Sequence, residues 1–330
     1  MIVTKTPYRI SFFGGGTDYP TWFENHRGAT LVSTIDKYCY LFCRHLPPFF
    51  HHKHRIVYSN VELIDEIEQI QHPAVKGVLK VMGAELGLEI HHHGDLPARA
   101  GMGSSSAFTV GLLNAISRLK NEPMNKYELA RMAIHVEQKV IEEIVGSQDQ
   151  VSTSYGGINR LDFAKDGSFK VTPLELSSKR VASLENNLML FFTGFQRNAS
   201  EIAQKQIQNF CRKENELKQL VGMVDDGQAI LTNEQRSLED FGRLLHTGWM
   251  LKREFADGVT TPELDTIYTK AISAGAVGGK LLGAGGGGFM LFYVSAEKQS
   301  QVKAALGNCL HIPFKFEFQG SQLAMYDQKA

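Results

Sequence analysis

Cysteine, net charge and long apolar runs are what this chain lacks. Its 330 residues include four cysteines, Cys39, Cys43, Cys211 and Cys309, with no CxxC spacing, and these read most simply as reduced and buried. Lys+Arg and Asp+Glu number 35 each. With no excess of either sign, nothing argues for nucleic acid or an anionic membrane as a partner. No stretch is apolar enough to span a bilayer and no N-terminal signal is recognisable, so a soluble, cytoplasmic protein is expected. Repeats and low-complexity segments are also missing. At this length the chain can bury a large core and is expected to form two domains.

Glycine is abundant, and it is concentrated in three places. The middle one reads LPARAGMGSSSAF, Leu96 to Phe108. Gly101 and Gly103 flank Met102, Ser104, Ser105 and Ser106 follow, and Phe108, Leu112, Ile116 and Leu119 then recur at helical spacing. A glycine loop therefore runs into a helix whose first turn is serine. Backbone N–H groups there have no intrahelical partner, and the macrodipole adds positive potential. Glycine lets an anion approach and serine adds donors or metal ligands, which describes a phosphate site. An N-capped helix after a flexible turn is the plainer reading. Familiar phosphate and nucleophile motifs fit poorly. No lysine follows the last glycine, as a P-loop requires. Ser106 stands where a dinucleotide fingerprint needs its third glycine. Asp95, Pro97 and Ala98 separate Ser105 from the nearest strand-like run, against a nucleophile elbow.

The first glycine segment, TPYRISFFGGGTDYP, spans Thr6 to Pro20. After the apolar Ile10, Phe12 and Phe13, Gly14, Gly15 and Gly16 leave the backbone bare before Thr17 and Asp18. Such a stretch serves a tight turn, or a ligand whose hydroxyls Asp18 would accept. Strands are expected at Leu31–Arg44, Arg55–Tyr58 and Leu88–His93. Consecutive histidines on a strand point to opposite faces, so His91, His92 and His93 cannot all ligate one ion. Pro73–Leu86 reads as a helix. Another is expected from Asn125, with Glu128 at capping-box spacing, to a stop at Gly146. Glu137 falls in the middle of that helix's apolar arc, and a buried carboxylate needs a cation or strong donors. A metal and a structural ion pair are both open to it. Asp149 follows in a turn-like stretch, where an ordinary turn aspartate is the plain reading, and Gly156-Gly157 come soon after. From Leu188–Phe192 onward the texture changes, with long amphipathic helices expected at Asn198–Val221, Gln235–Phe255 and from Thr261-Pro262 to Ala274. A second domain is placed from about residue 180, dividing the chain into 1–180 and 181–330. The third glycine segment, KLLGAGGGG, precedes the strand Phe289–Val294. Gly283, Gly285 and Gly288 formally match GxGxxG, but the loop follows a helix and enters a strand, the reverse of the dinucleotide order. Close approach of a ligand or another loop explains those glycines better than flexibility does.

TPYRISFFGGGTDY, AGMGSSSA and KLLGAGGGG, in this order, resemble the three motifs of the GHMP kinases, the galactokinase, homoserine, mevalonate and phosphomevalonate kinase superfamily. The resemblance runs from Pro7 to Gly288. Within the superfamily, GGGTD and GSQDQVSTSYGGIN look most like the bacterial heptose 7-phosphate kinases. It implies an α+β protein with an N-terminal domain of the ribosomal-S5-domain-2 type and a C-terminal ferredoxin-like domain, with ATP and substrate meeting between them. It also implies that Gly101, Met102, Gly103, Ser104, Ser105 and Ser106 wrap the ATP phosphates and that Ser105 with Glu137 holds Mg²⁺. Asp149 would accept the proton of the acceptor hydroxyl, with Arg9 as the cation beside it. Gly15, Gly16, Thr17, Asp18, Gly156, Gly157, Gly283, Ala284, Gly285 and Gly286 would meet the substrate. Galactokinases carry Glu-His where this chain has Gly15-Gly16, so a bulkier sugar than galactose is implied. Arg27 and Arg44 stand as candidates for a distal phosphate. A sugar kinase taking ATP and a sugar phosphate, a non-catalytic sensor and a decarboxylase on the same fold are the three readings, and a homodimer is left open.

Overall fold

The computed structural model describes residues 1–83, 86–194 and 199–326. Its larger sheet grows around one long strand. β1 (Ile2–Phe13) is buried along nearly its whole length and pairs antiparallel with β2 (Gly28–His45) from Ile2 opposite Cys43 to Phe13 opposite Leu31. The other edge of β2 is shared among several strands. Three further strands before the phosphate loop are β3 (His54–Val57), β4 (Val61–Ile64) and β5 (Leu88–Gly94). β5 pairs with the C-terminal part of β2 and carries β3 parallel beside it, with β4 at the edge. The N-terminal part of β2 pairs with β6 (Ile158–Phe163), which in turn carries β7 (Phe169–Pro173). The helix Ser104–Leu119 lies across β1 and β2, where Thr4 Oγ1 donates to the Gly111 carbonyl at 3.0 Å.

The second sheet contains β8 (Leu188–Phe192), β9 (Gly278–Leu281), β10 (Phe289–Tyr293) and β11 (Leu310–Ile312), in the antiparallel order β11-β8-β10-β9. In chain order that is four-one-three-two, the ferredoxin-like arrangement. Phe191, Trp249, Leu264 and Phe292 form its own core cluster. The chain then returns to the first sheet: β12 (Phe316–Glu317) pairs with β2 and β13 (Gln322–Tyr326) with β1. The expected division at residue 180 therefore does not hold to the end of the chain, because the last two strands complete the N-terminal sheet.

Several helices end earlier than periodicity suggests. Pro73–Met82 stops at Gly83, whose φ of 58° supplies a left-handed cap, rather than at Leu86. The capping box at Asn125 forms as expected, with Asn125 Oδ1 accepting from Glu128 N at 3.0 Å and Glu128 Oε2 from Asn125 N at 2.8 Å. Its helix runs only to His135, becomes a π turn over Val136–Val140 and does not reach Gly146. The stretch expected as one helix from Asn198 to Val221 divides into Ala199–Asn209, a 3₁₀ turn at Phe210–Arg212 and Glu214–Thr232; Asn198 lies outside the described residues. All four cysteines are free, as expected. Cys39 and Cys43 are buried, whereas Cys211 is exposed and Cys309 half-buried, a correction for those two. Among the described residues no helix is long and apolar enough to cross a membrane.

Candidate active site

Three glycine segments far apart in sequence meet in one cleft of about 330 Å³. A larger hollow of about 610 Å³, lined from Asp265 to Ala305, touches none of them. On the cleft floor, Arg9 of β1 meets Asp149 in the first turn of the helix Gln148–Tyr155. Arg9 Nε donates to Asp149 Oδ1 at 2.7 Å and Nη2 to Oδ2 at 2.8 Å. Such a paired contact fixes the carboxylate in plane as well as in position. The remaining nitrogen, Nη1, donates to the Gly101 carbonyl at 2.6 Å, and the Arg9 backbone N–H to the Met102 carbonyl at 3.0 Å. One arginine thus ties the phosphate loop to the aspartate. The Arg9 side chain is 5% exposed and that of Asp149 24%, so the carboxylate is the member left open to a ligand.

Gly101 and Gly103 have φ of 80° and 72°, and the helix begins at Ser104. A Cβ on Gly103 would stand 3.1 Å from Arg9 Cγ and 3.3 Å from Asp149 Oδ2, so a side chain there would crowd the ion pair as well as strain a backbone at positive φ. Gly101, Gly103, Ser104, Ser105 and Ser106 line the cleft, together with Arg99. Met102 does not. Its side chain is fully buried in the core, and only its carbonyl serves the site, by holding Arg9.

Glu137 sits one layer behind this wall, fully buried. The π turn that carries it follows the regular helix without a break. Oε2 accepts from Ser106 Oγ at 2.9 Å and from Gln150 Nε2, while Oε1 is buried without a partner. Burial, reinforced by the nearby Glu143, pushes its carboxyl up to about 8. Ser105 is exposed and bonds instead to Glu143, whose own carboxyl is raised by burial. The direct hydrogen bond to Glu137 thus comes from Ser106, while Ser105, expected to share a metal with Glu137, lies beside Glu143. Two carboxyls, one of them with a bare buried oxygen, and two hydroxyls form an all-oxygen donor set that suits Mg²⁺, an ion usually held by one or two carboxylates and completed by phosphate oxygens. Among the described residues no group of three or more His, Cys, Asp or Glu side chains could hold a metal unaided.

The opposite wall comes from the first and third segments. Gly15, Gly16 and Asp18 line it. Asp18 is buried and accepts from the backbone N–H of Gly16 at 2.9 Å and of Gln148 at 3.2 Å. Desolvation, with a contribution from Asp149, raises its carboxyl above the usual range. Thr17 points away from the cleft and closes the turn by donating to Gly14 and Ala29 carbonyls, so it is structural rather than a substrate contact. Gly283 and Ala284 line the cleft, but Gly285 and Gly286 do not. A Cβ on Gly285 would meet the Val259 backbone at 2.7 Å, and Gly286 N–H donates to the Val259 carbonyl. Gly156 and Gly157 are also away from the cleft. They let the chain abut its C-terminal segment, where a Cβ on Gly156 would lie 2.2 Å from Gly320 N and Gly157 N–H donates to the Glu317 carbonyl at 2.8 Å.

Residues 72–157 match the GHMP kinases N terminal domain and residues 229–312 the GHMP kinases C terminal domain. The chain is 30% identical over 320 residues to D-glycero-alpha-D-manno-heptose 7-phosphate kinase of Campylobacter jejuni, covering 92% of this chain and 93% of that one. The chain belongs to the GHMP kinases. It is 25% identical to a galactokinase of Pyrococcus furiosus, over 92% of each chain. Its fold matches a D-glycero-D-manno-heptose 1-phosphate kinase of Bacteroides thetaiotaomicron with a TM-score of 0.80 at 24% identity, covering 99% of this chain and 100% of that one. This GHMP kinase is an ATP-dependent sugar kinase, a phosphotransferase acting on an alcohol group.

Two cleft lysines of this GHMP kinase escape sequence reasoning. Lys252, the last residue of the helix Glu239–Lys252, is buried and donates to the Gly283 carbonyl at 2.6 Å. Lys280, on β9, is buried and donates to the Ser11 and Phe12 carbonyls, each at 2.8 Å. In sequence the first reads as a lysine complementing a helix C-terminus. Lys280 left a signal: a lone lysine between glycines and leucines just before a glycine loop. Arg27 and Arg44 are absent from the cleft. Arg27 pairs with Asp225 and Arg44 with Glu89.

Proposed function

We propose that this kinase phosphorylates the anomeric C1 hydroxyl of D-glycero-D-manno-heptose 7-phosphate, giving the 1,7-bisphosphate on a route to nucleotide-activated heptose for surface polysaccharide. The observation that carries the reading is Asp149, clamped by Arg9 under the Gly101–Ser106 loop and open on the side that faces Gly15, Gly16 and Asp18. An acceptor hydroxyl against Asp149 gives up its proton to the carboxylate. Its oxygen forms the new bond to the γ-phosphorus, and the bond to the β,γ-bridging oxygen breaks in line, releasing ADP. Gly101, Gly103, Ser104, Ser105 and Ser106 supply donors to the phosphates. Glu137 and Glu143, with the Ser105 and Ser106 hydroxyls, would hold Mg²⁺, which neutralises phosphate charge when bound. Asp18 is placed to accept ring hydroxyls, and the bare backbone at Gly15-Gly16 leaves room for a seven-carbon sugar. The identity of the relative in Campylobacter jejuni supports heptose 7-phosphate among the sugars of this superfamily.

The test compares heptose, heptose 7-phosphate, mannose 6-phosphate, fucose and galactose by ADP release, with Asp149→Asn alongside. Charge-assisted contacts contribute roughly 1.5–3 kcal/mol each, so removing the C7 phosphate is expected to cost at least about tenfold in kcat/KM, and free galactose should be inert. Asp149→Asn should lose about 10²–10⁴ in kcat with the preferred acceptor. Equal rates with and without the C7 phosphate would leave a sugar 1-kinase of other specificity.

A further inference from the structure

The phosphate loop contains no lysine, although a transferring phosphoryl group needs cations around its equatorial oxygens. Arg9 is committed to Asp149 through two nitrogens and to the Gly101 carbonyl through the third. Lys280 uses two of its donors on the Ser11 and Phe12 carbonyls and so pins the end of β1. Lys252 differs from both. It is 9% exposed and lines the cleft, and its one hydrogen bond goes to the Gly283 carbonyl, with no ion-pair partner among the described residues. An ammonium carries three donors, and a buried cation whose neighbouring carboxylates, Asp18 and Asp149, bond to other groups is costly to hold until an anion arrives. The charged groups around it are Arg9, Asp18, Asp149 and Lys280.

We propose that Lys252 is a catalytic residue of the phosphoryl transfer, its ammonium binding γ-phosphoryl oxygens between Asp149 and the Gly101–Ser106 loop. This rests on the reading of the cleft as the kinase site and names a further member of it. Lys252 keeps its proton throughout, while the acceptor proton goes to Asp149 and the leaving electron pair to ADP. The lysine stands at the end of a helix near the second sheet, yet Gly283 holds it beside Gly101, so the cation reaches the phosphates from the domain opposite the loop. Desolvation and the neighbouring Arg9 pull its ammonium down to about 8, and a phosphoryl dianion would reverse that pull.

The experiment uses the full chain with Lys252→Met and Lys252→Arg. Calorimetry with Mg²⁺ measures binding of the non-hydrolysable imido analogue of ATP and of ADP. Lys252→Met is expected to weaken the ATP analogue roughly ten- to hundredfold while leaving ADP within about twofold, because only the former carries the γ-phosphoryl. With whichever sugar the wild type turns over fastest, kcat should fall by at least that factor, and Lys252→Arg should recover part of both losses. Equal weakening of both nucleotides, or no change in either, overturns the assignment. So does a kcat loss confined to phosphorylated acceptors, which would put Lys252 on the acceptor's own phosphate. Failure of every sugar as a substrate for the wild type would refute the heptose reading, whereas the ratio of the two nucleotide affinities would still decide the role of Lys252.

Discussion

Asp149, on the cleft floor, and Glu137, one layer behind its wall, are both carboxylates, and their surroundings give them different duties. Asp149 takes two guanidinium N–H groups and stays open to an acceptor. Glu137 is dry, pushed up to about 8 by burial, and keeps one oxygen bare. Between its ordinary value and about 8 the folded protein holds this proton more tightly than the unfolded chain does, so the stabilisation is full at low pH and is lost as pH rises through that window. Glu137→Gln lacks the penalty. In chelator, its melting temperature relative to wild type should rise between pH 5 and pH 8, and Mg²⁺ should restore wild type at pH 8 more than the variant. A difference that stays constant with pH would return Glu137 to a purely structural pairing. At this scale Glu137 was conspicuous as an acid on an apolar arc, whereas Asp149 read by itself as a turn aspartate and, with Arg9, was singled out only through the resemblance. The partner of Glu137 was not legible. Neighbouring residues on a helix point about 100° apart, and the left-handed Gly103 that sets the phase of the first turn leaves Ser106, not Ser105, facing inward.

Among the elements, the third glycine loop has a role that its composition only half declares. It packs against the back of the phosphate loop, backbone to backbone. A Cβ on Gly101 would meet the Leu282 carbonyl oxygen at 2.4 Å, one on Gly283 would meet Gly101 Cα at 2.4 Å, and one on Gly288 the Ala100 carbonyl oxygen at 2.3 Å. Close approach of another loop was expected, though a ligand was equally open from sequence. Gly283→Ala should separate the two loops, costing roughly 1–3 kcal/mol of stability and raising KM for ATP. Gly167 offers the comparison, since its φ of 81° is similar but no atom lies within 4 Å of a Cβ there. Gly167→Ala should lose stability alone, and an equal KM effect in both would deny that the seam shapes the ATP site. The π turn was invisible beforehand because Ile141 and Ile144 continue the helical spacing past the point where the helix ends. Ile144 is in fact 36% exposed, so its side chain does not fill the arc that periodicity drew.

Across the whole molecule, the chain passes between its two sheets twice, before β8 and after β11, and the crossings are tied together. Phe316 N–H donates to Glu185 Oε2, in the helix before β8, at 2.7 Å, and Lys315 N–H anchors the returning chain to β2 through Asp36 Oδ1 at 2.9 Å. The second crossing had no sequence signature, since two very short strands pairing across the length of the chain leave no local pattern. Removing everything after Pro313 deletes β12, β13 and Glu317, which gathers Gln319 N–H, Gly320 N–H and Gln322 Nε2. Such a chain should be recovered mainly insoluble or melt well below the full-length protein, and an unchanged melt would show the N-terminal sheet to be self-sufficient. The same return strand also orders events during synthesis. β1 is made long before β13, to which its outer edge belongs, with Ile2 opposite Tyr326. At the usual pace of about 5–20 residues per second, that edge waits on the order of 15–60 seconds for its partner. Until then it presents unpaired N–H and C=O groups, the kind of edge that recruits other chains. Among the described strands, the one that precedes all the others in the chain is thus the last to be sealed.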